Sequence, residues 1–378
     1  MTLVEDASGY QGWADCILAP RTIEELSAAM RRAASLGVAV TPSGAGTGIT
    51  GGRCPQGGWL VSTERLTRLE IGRGRAAVGA GVLLKDLQAA AARTGQFYAP
   101  DPTEWTASIG GNIATNASGS RSFRYGSTRR HLLSVTAVFA DGSVRTFRRG
   151  ELLDFPCQPV RQPATTKNTA GYFLPQDATW VGLLCGSEGT LAVVAEAEVS
   201  LLPQPQALLS GVVFFPGLDA ALAAVERWRA IPQLNMLEFM DEASLEILRS
   251  DAAAPVPQAA RACLMVEQEL DGLDGDPVDQ WLERLGQAGA LEQSWFGTQA
   301  ADRDRFRAFR HALPEAVNAR VRSRGFEKIS SDFAVPLANN AAMMDFYLRE
   351  LESNFPGAYT IYGHIGDAHL HVNILPDS

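Results

Sequence analysis

The stretch "TPSGAGTGITGG", Thr41 to Gly52, limits what this chain can fold into more than any other. It follows directly on the strand-like "VAVTP" and is dominated by glycine. Positions without a Cβ let successive backbone N–H groups close around a bulky anion, and a pyrophosphate is the natural ligand. The run also satisfies G-x-G-x-x-G at Gly46, Gly48 and Gly51, the spacing of a Rossmann dinucleotide loop. A Rossmann loop, however, opens directly into a helix whose N-terminus faces the phosphates. Here "RCPQGG" and then the strand-like "WLVST" follow. The sequence therefore predicts a phosphate-holding loop between two strands, outside the Rossmann class. A plain surface loop is the alternative, because glycine richness alone also marks loops.

Periodicity supplies the rest of the organisation. Upstream of the loop, "CILAP" reads as a strand and "TIEELSAAMRRAASLG" as a helix, with Thr22 and Glu25 forming a capping box and Gly37 in the C-terminal position. As far as Pro203, short apolar runs alternate with glycine-rich loops, and Asp141-Gly142 between two β-rich runs signals a hairpin. After "LLPQPQ" the character changes. Apolar strands such as "LLSGVVFF" and "ACLMVEQEL" alternate with amphipathic helical stretches such as "LDAALAAVERWRAI" and "RDRFRAFRHALPEAV". That alternation predicts an α+β unit with an antiparallel sheet covered by helices, and the domain break falls near residue 205. With 378 residues, 46% of them hydrophobic, the chain can bury two cores.

Charge and cysteine usage exclude several function classes. A net charge of -9 and a pI near 5.2 argue against nucleic acid or an anionic membrane as the main partner. Five cysteines without a C-x-x-C pair indicate neither a disulfide framework nor a zinc knuckle, which suits a reducing compartment. The N-terminus carries no signal-peptide pattern, and no run reaches the about 18 apolar residues of a membrane span. The expectation is a cytoplasmic protein without an integral membrane segment.

Two more segments share the loop's chemistry. "DPTEWTASIGGNIATNASGSRSFRYG", Asp101 to Gly126, and "LCGSEGTLAVV", Leu184 to Val194, mix glycines with amide and hydroxyl groups. Turn chemistry explains either one alone, but hardly all three together. As an ordered set, "PSGAGTGITGG", "SIGGNIATNASG", "RYG", "KNTAGYFL", "GSEGTLAVV" and "GHIGDAHLHVNIL" resemble the flavoproteins of the vanillyl-alcohol-oxidase type. Within these the chain is similar to the FAD-linked D-2-hydroxyacid dehydrogenases: D-lactate dehydrogenase, D-2-hydroxyglutarate dehydrogenase and the glycolate oxidase flavin subunit.

The resemblance implies an α+β fold: a two-subdomain FAD-binding domain over residues 13–203, then an antiparallel-sheet cap domain over 207–378 with helices on one face. It places the FAD pyrophosphate on Ser43, Gly44, Ala45, Gly46 and Thr47, with Pro42, Gly48, Thr50 and Gly51 as further cofactor-binding residues. Pro102, Ser108, Ile109, Gly110, Gly111, Asn112, Thr115, Asn116 and Gly119 would line the cofactor towards the flavin, with Tyr125 and Gly126 beyond them. Glu188, Gly189, Thr190, Leu191 and Val194 would add contacts. Related enzymes that bind flavin covalently use a His or Cys. The first 130 residues contain no histidine, and Cys54 lies beyond the phosphate loop, so non-covalent FAD is expected.

"GHIGDAHLHVN", Gly363 to Asn373, holds three of the chain's five histidines. Read as a strand, "HLHVN" puts His369, His371 and Asn373 on one face. Imidazoles at this spacing suit Zn²⁺ or Mn²⁺, and the resemblance assigns the ligand roles to His364 and His371. Where the family has "GDGN" this chain has "GDAH", so Ala368 and His369 are departures, and whether His369 joins the site is open. The implied reaction takes a D-2-hydroxy acid to the 2-oxo acid, with hydride leaving C2 for the flavin and a divalent cation orienting the substrate. By position Arg310 would hold the substrate carboxylate, with Lys328 second and His371 at the reacting end.

In full-length relatives an acidic metal ligand and a histidine base follow "GHxGD", so the resemblance implies a partial copy of a longer enzyme, with a native short variant as the alternative. A non-redox flavoenzyme of the ether-lipid synthase branch and a non-catalytic flavin-binding subunit stay open as alternatives. A quinone, a cytochrome, an electron-transfer flavoprotein or an iron–sulfur subunit would each serve as electron acceptor.

Overall fold

The computed structural model describes residues 1–251, 254–325 and 329–376. The chain divides into two compact units: Met1–Gly119, Gly126–Gln162 and Thr169–Gln204 form the first, and Ser120–Tyr125, Pro163–Asn168 and Pro205–Ser378 the second.

The first unit contains a parallel and an antiparallel sheet. Trp59–Ser62 lies between Cys16–Leu18 and Val40–Ser43, parallel to both. The helix Ile23–Leu36 begins as the sequence predicts: the Thr22 hydroxyl accepts from the Glu25 N–H at 3.2 Å, and Gly37 ends it at φ 64°. Leu26, Met30 and Ala33 give it a buried face. The antiparallel sheet runs Val144–Arg148, Leu132–Val138, Val193–Ser200, Arg75–Gly79, Leu69–Gly72. Its hairpin turns at Gly142, whose φ of 80° requires glycine and whose N–H donates to Phe139 at 2.9 Å. Ahead of residue 13, where the sequence showed no pattern, Thr2–Glu5 pairs with Gln11–Ala14.

The second unit is built on a seven-stranded antiparallel sheet, ordered Trp295–Gly297, Leu208–Phe215, Ala262–Glu269, Leu234–Met240, Tyr359–His364, His369–Ile374, Ile329–Ala334. One expectation needs correction here: helices cover both faces of this sheet, not one. The central strands are apolar on both sides, as strands buried on two faces must be. Leu209, Val213, Leu264 and Val266 pack with the helices Leu218–Trp228, Pro277–Ala288 and Asn340–Asn354. Val212, Phe214, Cys263 and Met265 pack with Glu242–Asp251 and Ala300–Ser323. A single layer would have left Val212 and Phe214, both fully buried, in water.

Two short pieces from the first half of the sequence join this sheet. Arg121 donates through Nε and Nη2 to both carboxylate oxygens of Glu267 at 2.8 and 2.9 Å, and Arg124 pairs with Glu269 at 2.9 Å. Thr166 Oγ1 donates to the Asp367 carbonyl at 3.1 Å. The cysteines are free, and among the described residues no helix is long and apolar enough to cross a membrane.

Candidate functional site

In the first unit the three glycine-rich segments converge on one cleft. Pro42, Ser43 and Gly44 come from the end of a strand, Gly110 and Gly111 from the helix Ile109–Ala114, and Ser187, Glu188 and Gly189 from a loop. One hydroxyl joins the first two: Ser108 Oγ caps the helix at Gly111 N and also accepts from Ala45 N, both at 3.3 Å. The third is attached by Glu188 N to Ala114 O at 2.8 Å and Gly186 N to Ile113 O at 2.9 Å. The approach is so close that a Cβ on Gly44 would lie 2.5 Å from Ser108 Oγ, and one on Gly110 2.6 Å from Ala80 Cβ.

The cleft has unused donors. Among the described residues the amides of Gly46 and Thr47 have no acceptor, and the buried Asn112 Nδ2 has no partner. Glu188 and Asn116 hold left-handed backbone, φ 52° and 48°, a strain of roughly 1–3 kcal/mol each that gathers at binding sites. These features fit a pyrophosphate and its attached cofactor. The far end of the loop is braced by Asp6, which accepts from Gly51 N at 2.7 Å and from Ser8 N at 2.9 Å. Burial pushes its carboxyl up, but the bonds from Ser8, Gly51 and Tyr10 outweigh this and hold it below the usual value. Sequence reading missed Asp6, which stands ahead of any recognisable pattern.

Other expected cofactor residues have local duties. A Cβ on Gly119 would fall 1.7 Å from Asp101 O and 2.6 Å from Pro102 N, so backbone contact alone demands glycine there. Ile109 is fully buried and Val194 nearly so, in the core of this unit. Thr115 Oγ1 donates to Gly111 O at 3.0 Å, and Thr190 Oγ1 to Ser187 O at 2.5 Å. Thr50 is exposed, Leu191 is half-buried and Gly126 has φ 78°. Tyr125 belongs to the second unit, where its hydroxyl meets the Glu269 carboxylate.

In the second unit the strands Tyr359–His364 and His369–Ile374 pair around the turn Ile365–Asp367, with His364 opposite His369. The three imidazole centroids stand 4.9 to 5.3 Å apart. Gly363 makes room for this, since a Cβ there would lie 2.7 Å from His371 Cδ2. Ala368, the departure from "GDGN", sits at φ 49°, a conformation easier for the family's glycine.

Carboxylates fix the rings. Glu238 Oε1 meets His364 Nδ1 at 2.5 Å, while its other oxygen accepts from Arg310 Nε at 3.1 Å. Asp332 Oδ1 meets His371 Nδ1 at 2.9 Å and also contacts His369 Nε2. Lys167 Nζ lies 3.4 Å from His369 Nδ1. Both nitrogens of His369 are thus engaged. His364 and His371 each have a carboxylate on Nδ1 and, among the described residues, no partner on Nε2, which is how a metal-ligating histidine is usually held. Asp332, His369 and His371 also form a group with donor atoms within 4.8 Å of one another. In this group the Asp332 oxygen serves as the common acceptor for the other two.

Burial pushes His364 down to about 4, so its ring is neutral near pH 7. Burial would raise Glu238, but His364 and Arg310 outweigh it and hold the carboxylate ionised. Asp332 is likewise held well below the carboxylate range, by His369, His371 and Lys167 against the effect of burial. Burial lowers Lys167, with Asp332, Asp367 and Glu238 opposing.

Arg310, on the helix Ala300–Ser323, reaches the cluster through Glu238, whereas Lys328 lies outside the described residues. Glu238, Asp332 and Lys167 were missed as site residues. For Glu238 the signal was present: a lone carboxylate in the apolar strand "LNMLEFM".

The FAD binding domain family matches residues 14–148, and the family of FAD linked oxidases, C-terminal domain, matches residues 204–378. Glycolate oxidase subunit GlcD of Bacillus subtilis is 30% identical, over 97% of this chain and 74% of its own length. A D-lactate dehydrogenase of Archaeoglobus fulgidus is 33% identical over 95% and 75%. A D-2-hydroxyglutarate dehydrogenase of Xanthomonas citri is 30% identical over 96% and 73%. Among solved structures, alkyldihydroxyacetonephosphate synthase aligns with a TM-score of 0.67 at 19% identity, over 94% of this chain and 70% of that one, a likeness of fold.

Proposed function

The chain belongs to the FAD-linked D-2-hydroxyacid dehydrogenase family and is an FAD-dependent oxidoreductase; from that premise we propose that it oxidises a D-2-hydroxy acid to the 2-oxo acid, with FAD bound non-covalently and a divalent cation, Zn²⁺ or Mn²⁺, held by His364 and His371. The observation that carries the metal reading is the paired arrangement of these two histidines, each with a carboxylate on Nδ1 and an open Nε2. When bound, FAD supplies the two-electron acceptor, and the cation supplies positive charge that lowers the substrate hydroxyl pKa and fixes the acid's orientation.

The chain's own residues do the rest. The backbone N–H groups of Gly46 and Thr47 in the glycine loop hold the pyrophosphate, and Ser108 keeps that loop against the helix Ile109–Ala114. Glu238 and Asp332 set the tautomers of His364 and His371 and hold their rings in place. Glu238 also draws Arg310 to the cluster, where its guanidinium adds positive charge beside a carboxylate-bearing substrate. The electrons that bound FAD would take up would go on to a separate acceptor.

An anaerobic visible spectrum tests the reading. Addition of D-lactate, D-2-hydroxyglutarate or the achiral glycolate bleaches the flavin band, L-lactate and L-2-hydroxyglutarate do not, and chelator treatment slows the bleaching. A flavin band that none of these acids bleaches would refute the proposed oxidation.

A further inference from the structure

The charges around the histidine cluster do not cancel in pairs. Arg310 is matched by Glu238 at 3.1 Å, with both side chains nearly buried. Asp332 is taken by His369 and His371. Lys167 remains. Among the described residues its Nζ has one polar neighbour, the ring nitrogen His369 Nδ1 at 3.4 Å, and no carboxylate oxygen lies within 4.0 Å of it. Since His369 Nε2 faces Asp332, its proton belongs on that side, and Nδ1 presents a lone pair to the ammonium. The lysine is therefore oriented by a ring acceptor, with donors left over for an anion. Thr166 fixes its backbone to the Ile365–Asp367 turn, so this cation is carried to the cluster by the second unit itself.

We infer that Lys167 is the residue that binds the carboxylate of the 2-hydroxy acid, with His369, the residue that departs from the family pattern, aiming its ammonium. This assignment rests on the reading of the substrate as a hydroxy acid. It gives the carboxylate a partner that is not already engaged in an ion pair, which Arg310 cannot claim.

The test is calorimetric titration of the holoenzyme with oxalate, a carboxylate that flavin cannot oxidise, and with oxamide, its uncharged diamide. Replacing Lys167→Met keeps the length and removes the charge. Loss of a charge-assisted hydrogen bond weakens oxalate binding roughly ten- to hundredfold and leaves oxamide unchanged. Lys167→Arg restores part of the preference. Thr166→Ala, which loosens the segment without touching a charge, keeps it. A Lys167→Met protein that still prefers oxalate as strongly as the parent overturns the assignment, as does a parent that prefers neither ligand, or equal losses for both ligands in Lys167→Met and Thr166→Ala. Failure of the oxidation reading looks different: oxalate binding would depend on Lys167 while no hydroxy acid bleached the flavin.

Discussion

The glycine cleft of the first unit and the histidine cluster of the second do comparable work with opposite materials. The cleft is made of backbone: its donors are amides, and its shape depends on side chains being absent at Gly44 and Gly110. The cluster is made of side chains: imidazoles, carboxylates and cations contributed by a helix, four strands and a loop segment. A backbone site tolerates changes of charge and fails on added volume. A side-chain site tolerates small changes of volume and fails when one partner of a buried charge is removed.

The largest expected effect lies on the side-chain half. Glu238→Ala leaves Arg310 and His364 buried without their partner, and the loss of stability should be about 3–5 kcal/mol. Urea unfolding measures it, and a loss below about 1 kcal/mol, the scale of a surface pair, would mean that the cluster is not a buried charge network.

Three residues along the same chain, Asp241 sharpens the point. It is a carboxylate with, among the described residues, no cation in contact with it, accepting instead from Ser244 N and Ile361 N, both at 2.8 Å. Burial pushes it up to about 6. A raised pKa means the folded state holds the proton more tightly than the unfolded chain does. The stabilisation is thus complete below the ordinary carboxylate pKa of 3.8 and is lost as pH rises through about 6. Against Asp241→Asn, which cannot ionise, the parent should lose on the order of 3 kcal/mol between about pH 4 and pH 7 in unfolding experiments. A constant difference across that range would contradict the assignment.

The smallest effects belong to the backbone half and are a matter of volume. Gly110→Ala meets Ala80 on both Cβ and backbone oxygen and should cost about 1–3 kcal/mol together with bound flavin. Its neighbour Gly111→Ala meets only Ser108 Oγ, at 3.2 Å. That change should stay within about 1 kcal/mol, because a methyl group in a helix recovers roughly what the contact costs. Flavin content per chain and unfolding midpoints distinguish the neighbours.

The same contrast explains which parts of the molecule are legible in its sequence. A site made of backbone leaves contiguous runs of glycine, so the loop at Thr41 to Gly52, its partner segments and its position between strands can be read directly from the order of residues. A site made of side chains gathers single residues across the chain. Only its contiguous part, "GHIGDAHLHVN", announces itself. Asp332 and Lys167 are silent, and Glu238 shows only as a lone carboxylate in an apolar strand, because the sheet register and the loop, not sequence spacing, bring them to the histidines. "SFRY" reads with the cofactor for a related reason: its arginine pairs with an acid more than a hundred residues away, as does the neighbouring Arg121. The second layer of helices is legible in principle, in strands too uniformly apolar to leave one face in water.

The central claim is that flavin and metal are held by separate parts of the chain, one of backbone and one of side chains. Flavin absorbance and metal content, measured together on the parent and on His371→Ala, test it most directly. The account predicts one flavin per chain in both proteins, with the Zn²⁺ or Mn²⁺ of the parent absent from the variant. Undiminished metal in His371→Ala, or a parent that binds neither ion, would contradict it.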